Sequence, residues 1–282
     1  MPLLQGFRLQ NKVAIVTGSG SGFGAAIAQR FAEEGAQVVV ADINATAGEA
    51  VASTNAANMA FHKMDVTSAA DWKSVVEAAF KRFGRLDVLV NNAGTTYRNK
   101  PTLEVTEVEW ERVFNVNVRG VFLANKAVMP RLIEQGQGGS MINISSTGSS
   151  RPRPGLVWYN ASKASISNVL FSLPQSPNKP IQHTLSKLEA NGKKATKGLA
   201  AEYGPHNIRV NTVCPLLSGT GLFAMFTGME DTPQNRERFL GNVPLGRLTE
   251  PEDVANMCLF LASEEGRFVN GAEMVVDGGK CI

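Results

Sequence analysis

A short β-branched run, Lys12–Thr17, leads directly into Thr17-Gly18-Ser19-Gly20-Ser21-Gly22-Phe23-Gly24, and a helix-patterned stretch follows. Glycines at 18, 22 and 24 let the backbone turn tightly, and the helix that follows presents unpaired N–H groups and a partial positive charge at the end of the strand. The remainder of the chain has to continue this opening. Gln37–Asp42, Met59–Asp65, Leu86–Asn91, Ser140–Ser145, Ile208–Val213 and Glu273–Val276 read as further strands, with helical stretches between them. Asp71–Phe83 carries Trp72, Val75, Val76, Ala79 and Phe80 at helical spacing. Thr106 with Glu109 forms a capping box that opens a long helix toward Arg131, and Pro251 stands at a first helical position before Val254–Leu261.

Strands of this kind, alternating with helices, build an α/β fold. The expected architecture is a doubly wound parallel sheet, Rossmann-like, with helices on both faces and a single domain over residues 1–282. With 43% hydrophobic and 19% charged residues the chain can fill such a core. A net charge of +3 without a dense Lys/Arg block argues against nucleic acid or an anionic membrane as partner. Cys214, Cys258 and Cys281 are scattered, as are His62, His183 and His206, so neither a disulfide framework nor a metal site is expected. Leu3 and Leu4 are too short a run for a signal peptide, and no later run spans a bilayer. A soluble, cytoplasmic protein is the expectation.

The glycine loop suits a dinucleotide. Gly18, Gly22 and Gly24 allow close approach to a pyrophosphate, with Ser21 and Phe23 between them at the helix start. Asp42 ends the second strand eighteen residues after Gly24, where a carboxylate accepts hydrogen bonds from ribose hydroxyls and repels a 2′-phosphate. A helix cap or turn is its plain alternative. No Arg or Lys occupies the loop or the positions just after Asp42, which favours NAD over NADP. Asp65-Val66 closes the third strand, placed to border an adenine. Asn91-Asn92-Ala93-Gly94 closes the fourth, where small residues and amides suit packing against a cofactor or a simple turn.

Tyr159-Asn160-Ala161-Ser162-Lys163 sets a phenol and an ammonium on one helix face. A tyrosine titrates near about 10 and is a poor base at neutral pH, and a nearby cation lowers that value. Taken alone the spacing is common by chance. Thirteen residues before the tyrosine, Ile142-Asn143-Ile144-Ser145-Ser146 ends a strand with hydroxyls that either bond a substrate oxygen or cap the loop.

Together Thr17-Gly18-x-x-x-Gly22-x-Gly24, Asn91-Asn92-Ala93-Gly94, Asn117, Ser146 and Tyr159-x-x-x-Lys163 resemble the short-chain dehydrogenase/reductase family, in its order and nearly its spacing. The likeness covers about residues 8–279 apart from one proline-rich segment, and includes Ala200–Asn211 and Val276-Asp277-Gly278-Gly279. The resemblance implies Tyr159 as general acid/base and Ser146, rather than Ser145, as the residue orienting the substrate oxygen. Lys163 would hold the nicotinamide ribose and tune Tyr159, and Asn117 would anchor a proton-relay water. The cofactor residues it implies are Gly18, Ser21, Gly22, Phe23, Gly24, Asp42, Asp65, Val66, Asn91, Ala93, Gly94, Tyr159, Lys163, Pro215 and Thr220. One departure follows Pro215, where Leu216 stands in place of the family's usual glycine and weakens the carry-over to Thr220. Residues 216–242 resemble a mobile substrate lid, with Phe223, Met225, Phe226 and Met229 serving either substrate or core. The implied function is an NAD(H)-dependent oxidoreductase that interconverts a secondary alcohol and a ketone and assembles as a homo-oligomer. A sugar, polyol, cyclic alcohol or 3-oxoacyl thioester fits equally as substrate.

Residues 169–194 break the pattern. Pro174, Pro177 and Pro180 exclude a continuous helix, yet joining Asn168 to Ala195 yields one. The excess of 26 residues is either a surface excursion or a translated intron. Val169 requires a codon beginning GT, Lys194 admits AAG, and Ala190-Asn191 admits a GCTAAC branch site. Under either origin the segment is expected to bulge outward and to impair family-like tetramer assembly. A cofactor-binding but catalytically impaired protein is the competing functional class.

Overall fold

The computed structural model describes residues 7–167, 195–218 and 223–282. The expected insertion at 169–194 and Thr220 therefore lie outside the described residues. Strand β1 (Val13–Thr17) is buried along its whole length and is flanked in parallel by β2 (Gln37–Asp42) and β4 (Val88–Asn91). With β3 (Met59–Lys63), β5 (Gly139–Ile144), β6 (Ile208–Pro215) and β7 (Glu273–Val276) they form one parallel sheet in the order β3-β2-β1-β4-β5-β6-β7. The chain leaves β1 toward β2 and β3, then returns to lay β4 on the other side of β1. That reversal opens a crevice above the carboxyl ends of β1 and β4, where a ligand is accommodated without cutting into the sheet.

Helices cover both faces. On one, Ile27 and Phe31 of α1 (Gly22–Glu33) pack with Val254, Cys258 and Leu259 of α10 (Pro251–Ala262). On the other, Trp72, Val75 and Val76 of α3 (Ala69–Phe83) pack with Leu123, Val128 and Leu132 of α5 (Gly120–Gln135). Two faces of apolar cover explain why the strand sequences lack polar alternation. The remaining helices are α2 (Ala45–Ser53), α4 (Glu107–Phe114), α6 (Val157–Ser167), α7 (Ala195–Tyr203), α8 (Phe223–Thr227) and α9 (Pro233–Leu240).

Two local expectations need correction. Strand β3 stops at Lys63, so Asp65-Val66 lies beyond it rather than closing it; Asp65 bends the chain by accepting from the Thr67 N–H and hydroxyl, each at 2.8 Å. The Thr106–Glu109 capping box is present, but the long helix is not uniform. Asn115–Arg119 forms a π-turn between α4 and α5, with Asn117 buried at its centre.

Candidate functional site

The glycine loop is held by its neighbours. Asn92 Nδ2 donates to the carbonyls of Thr17 and Gly18 at 2.9 and 3.0 Å, tying the loop to the end of β4. Gly18 has φ +62°, and a Cβ there would stand 2.8 Å from Ala93 Cα; at Gly24 it would stand 2.2 Å from the Gly18 carbonyl oxygen. Both positions are closed to any side chain. Ser21 is the N-cap of α1 yet gives no side-chain cap, and the first turn carries no acid. The helix thus meets the crevice with N–H groups that an anion can accept.

Asp42, half-buried at the end of β2, accepts from Gly20 N at 2.8 Å and Asn44 N at 2.8 Å. It serves the turn and still faces the loop. Val66 passes its carbonyl to Trp72 Nε1 at 2.9 Å and meets Gly120. Asn91 is placed differently from its expected role: its amide donates to Asn143 Oδ1 at 2.8 Å inside the sheet. Ala93 and Gly94 follow at the crevice, and a Cβ on Gly94 would come 3.0 Å from Lys163 Nζ and 3.4 Å from Asn117 Oδ1.

Tyr159 and Lys163 lie one turn apart on α6, both buried. The Trp158 N–H, at the start of this helix, donates to the buried Tyr97 hydroxyl at 3.0 Å, which fixes the helix entrance. Tyr159 shares the cavity with Ser146, whose hydroxyl acts on the phenol. Burial pushes the phenol up to about 12, with the Ser146 hydrogen bond and the Arg153 charge acting in the opposite direction. Lys163 Nζ, one turn further along, donates to the Ile144 carbonyl at 2.8 Å. Burial also brings Lys163 down to about 8.

The two serines separate cleanly. Ser145 is buried, donates to the Lys163 carbonyl at 2.9 Å and accepts from Ser167. Ser146 is half-buried, caps a short 3₁₀ turn through Gly148 N at 3.1 Å, and reaches Tyr159. Asn117 uses its whole amide: Oδ1 accepts from Thr95 N, and Nδ2 donates to Thr95 O and Ser162 Oγ, all within 2.8–2.9 Å.

A cavity of about 460 Å³ joins these groups, running from Gly22, Phe23 and Gly94 past Lys163, Ser146 and Tyr159 to Pro215. Of the four apolar lid residues, Met225 and Phe226 line it, Phe226 meeting Tyr159 edge-on at 5.2 Å. Phe223 and Met229 instead pack with Leu216, Phe239, Val243 and Leu248 in a small core of their own. Sequence reasoning missed Arg112 and Arg153, which also line the cavity. The available signal was the loop Thr147–Trp158, which holds Arg151 and Arg153 and no acidic residue. Among the described residues no helix is long and apolar enough to cross a membrane, and no group of three His, Cys, Asp or Glu side chains is placed to hold a metal.

Comparison with known proteins assigns this arrangement. A model for short chain dehydrogenases matches residues 12–176, and a second, for enoyl-(acyl carrier protein) reductases, matches residues 185–280. The chain is 45% identical over 280 residues to the 4-formylbenzenesulfonate dehydrogenase of Comamonas testosteroni, spanning 97% of this chain and 99% of that protein. The chain belongs to the short-chain dehydrogenase/reductase family. Another family member, the 3-oxoacyl-[acyl-carrier-protein] reductase of Thermotoga maritima, is 36% identical across 98% of this chain and all of its own length. The crystal structure of a 3-ketoacyl-(acyl-carrier-protein) reductase from Brucella melitensis complexed with NADH superposes with a TM-score of 0.82, at 36% identity over 97% of this chain and 100% of that one. The chain is thus an oxidoreductase of the nicotinamide-binding short-chain type.

Proposed function

We propose that the protein is an NAD(H)-dependent oxidoreductase that interconverts an alcohol and its carbonyl compound, with Tyr159 as general acid/base. One arrangement carries the reading: Tyr159 and Ser146 line the same cavity as Gly22, Phe23 and Gly94 of the dinucleotide end. NAD, when bound, supplies a hydride acceptor or donor. The residues present fit it, because Gly18 and Gly24 leave room only for backbone and the α1 N-terminus is uncapped. Ser21, Gly22 and Phe23 would hold the pyrophosphate, Asp42 the adenosine ribose, and Asp65 and Val66 the adenine. Ala93 and Gly94 would stand beside the nicotinamide end, with Asn91 supporting them from within the sheet through its bond to Asn143. Lys163 and Tyr159 would face the nicotinamide ribose, with Pro215 and Thr220 beside the carboxamide. The Asp42 carboxylate repels a 2′-phosphate, which favours NAD over NADP.

In the reductive direction the Tyr159 phenol gives its proton to the carbonyl oxygen; in the oxidative direction it first loses its proton to solvent and then, as the phenolate, accepts the proton of the substrate hydroxyl. Ser146 donates to that same oxygen and holds it in line. The amide of Asn117 is already engaged by Thr95 and Ser162, so a relay water would be held by the backbone of the π-turn rather than by that amide. Lys163 tunes Tyr159 through the ribose rather than by direct charge, since its partner in the protein is Ile144 O.

The test is turnover of benzylic, cyclic, polyol and 3-oxoacyl substrates with NAD(H) and NADP(H), beside NADH binding by fluorescence. Turnover with NAD(H), at least tenfold above NADP(H), is expected. NADH binding without turnover of any substrate overturns the catalytic reading in favour of an impaired, cofactor-binding protein.

A further inference from the structure

Arg153 stands in the cavity that holds Tyr159, and among the described residues no carboxylate pairs with it. It lines the cavity with Leu156, Met225 and Phe226, and its carbonyl accepts from Asn160 Nδ2 at 3.0 Å, which pins the loop to α6. Its guanidinium lies over the Phe239 ring at 4.7 Å. Burial lowers its pKa, and the groups whose charge supports it are the Cys281 thiol and the Tyr159 phenol, both neutral at physiological pH.

More positive charge stands behind it. Lys280 Nζ lies over the same Phe239 ring at 5.1 Å, and its pKa is lowered by burial and by the charges of Arg153 and Arg151. Arg151 donates to the Lys280 carbonyl at 2.7 Å. The acid nearest in sequence, Asp277, accepts from Gly279 N and Cys281 N. Two cations over one ring, with Arg151 beside them, are held against mutual repulsion and desolvation, and a bound anion relieves both.

The same cavity is lined by Leu156, Phe226 and Met225, so a ligand reaching from the Ser146–Tyr159 pair to Arg153 meets apolar surface. We propose that the substrate carries an oxyanion, a carboxylate or sulfonate, on an apolar body, and that Arg153, backed by Lys280, receives it while the alcohol or carbonyl end meets Ser146 and Tyr159. The proposal rests on the reading of Tyr159 as the reacting residue. Arg153 is then a specificity residue that touches substrate at the end remote from the hydride. Its contact with Phe239 ties the loop before α6 to α9.

The experiment compares benzaldehyde with 4-formylbenzoate and 4-formylbenzenesulfonate, using NADH or NAD, on the full chain and on Arg153→Met, Arg153→Lys and Lys280→Met. Calorimetric titration of 4-sulfobenzoate into the NADH-loaded proteins runs in parallel. The wild type is expected to favour both anionic aldehydes over benzaldehyde by at least tenfold in kcat/KM. Arg153→Met loses that preference through the KM of the two anionic aldehydes and keeps NADH affinity within about twofold, with its benzaldehyde turnover as the reference that removes any effect of the lost charge on Tyr159. Arg153→Lys restores part of it, and Lys280→Met loses less. An anionic preference that survives in Arg153→Met overturns the proposal, as does a parallel fall in NADH affinity, which would assign Arg153 to the cofactor. If no variant turns over any aldehyde, the Tyr159 reading fails and calorimetry decides the anion site alone. Binding lost in Arg153→Met then upholds it, and equal or absent binding in both proteins overturns it.

Discussion

The Thr196 hydroxyl donates to the Ile166 carbonyl at 3.2 Å, across thirty positions of sequence. In an unbroken helix a hydroxyl makes this bond to the carbonyl four residues before it, and removing residues 169–194 would give Thr196 that spacing. Helices α6 and α7 therefore meet as two parts of one helix. The same hydroxyl lies 2.6 Å from Thr212 Oγ1 and 3.4 Å from Asn143 Nδ2, so the junction is locked into the sheet. A chain joining Asn168 to Ala195 is expected to fold with the site intact. Holding the ends of a 26-residue excess together costs about 3 kcal/mol of chain entropy, so the shortened protein should melt several degrees higher. It should also form the larger oligomer by light scattering, with turnover equal to or above that of the full chain. A shortened chain that melts lower or loses NADH binding would show that the segment supports the fold. Messages that always retain the corresponding 78 nucleotides overturn an intron origin.

Lys163 gives a pH signature of its own. Its pKa falls from 10.5 to about 8 through burial, so the unfolded chain holds the proton more tightly than the native one. Below pH 8 both states are protonated and the penalty of the buried cation is constant. Between about pH 8 and 10 the native state has released the proton and the unfolded state has not, so stability rises with pH. At about 1.4 kcal/mol per pH unit the rise reaches roughly 2–3 kcal/mol. Urea midpoints of the cofactor-free protein should therefore climb from pH 8 to 10, relative to Lys163→Met. Equal slopes in the two proteins would place the Lys163 pKa elsewhere.

Much of this architecture was legible because burial on both faces writes itself into sequence. Strands β2 and β7 were read to the residue, and the α4 capping box and Pro251 sit where their chemistry demands. The end of β3 was misplaced because Asp65 looks like a strand terminus, whereas its carboxylate is used to bend the chain two residues after pairing stops. The π-turn was invisible because Val116 and Val118 leave the apolar spacing of a helix undisturbed. The direction of the Tyr159 pKa needed three dimensions. Spacing puts Lys163 on the same face, but only the fold shows its ammonium bound to Ile144 O and Arg153 as the charge acting on the phenol.

Tyr159→Phe removes the proton carrier while keeping the ring against Phe226. Turnover is expected to fall by roughly 10²- to 10⁴-fold, with NADH affinity changed little. Ser146→Ala should cost less, because the substrate oxygen keeps its bond to Tyr159. It also deprives Gly148 N of its acceptor and loosens the loop that carries Arg153. Stopped-flow hydride transfer separates these effects from binding. Tyr159→Phe that retains turnover within tenfold would assign the proton to another group.

Asp42→Asn tests the choice of cofactor with little change in shape. The amide oxygen can still accept from either Gly20 N or Asn44 N, the two bonds Asp42 now makes, so the turn after β2 should survive. What disappears is the negative charge beside the adenosine ribose. Repulsion of a 2′-phosphate then vanishes, and the KM for NADP should fall about tenfold, while that for NAD rises as charge-assisted bonds to the ribose weaken. The residual NADP affinity should stay modest, because the positions after Asp42 are Ile43, Asn44 and Ala45, none of which carries a positive charge. An unchanged KM ratio would mean that the Asp42 carboxylate is held by the turn alone and does not face the ribose.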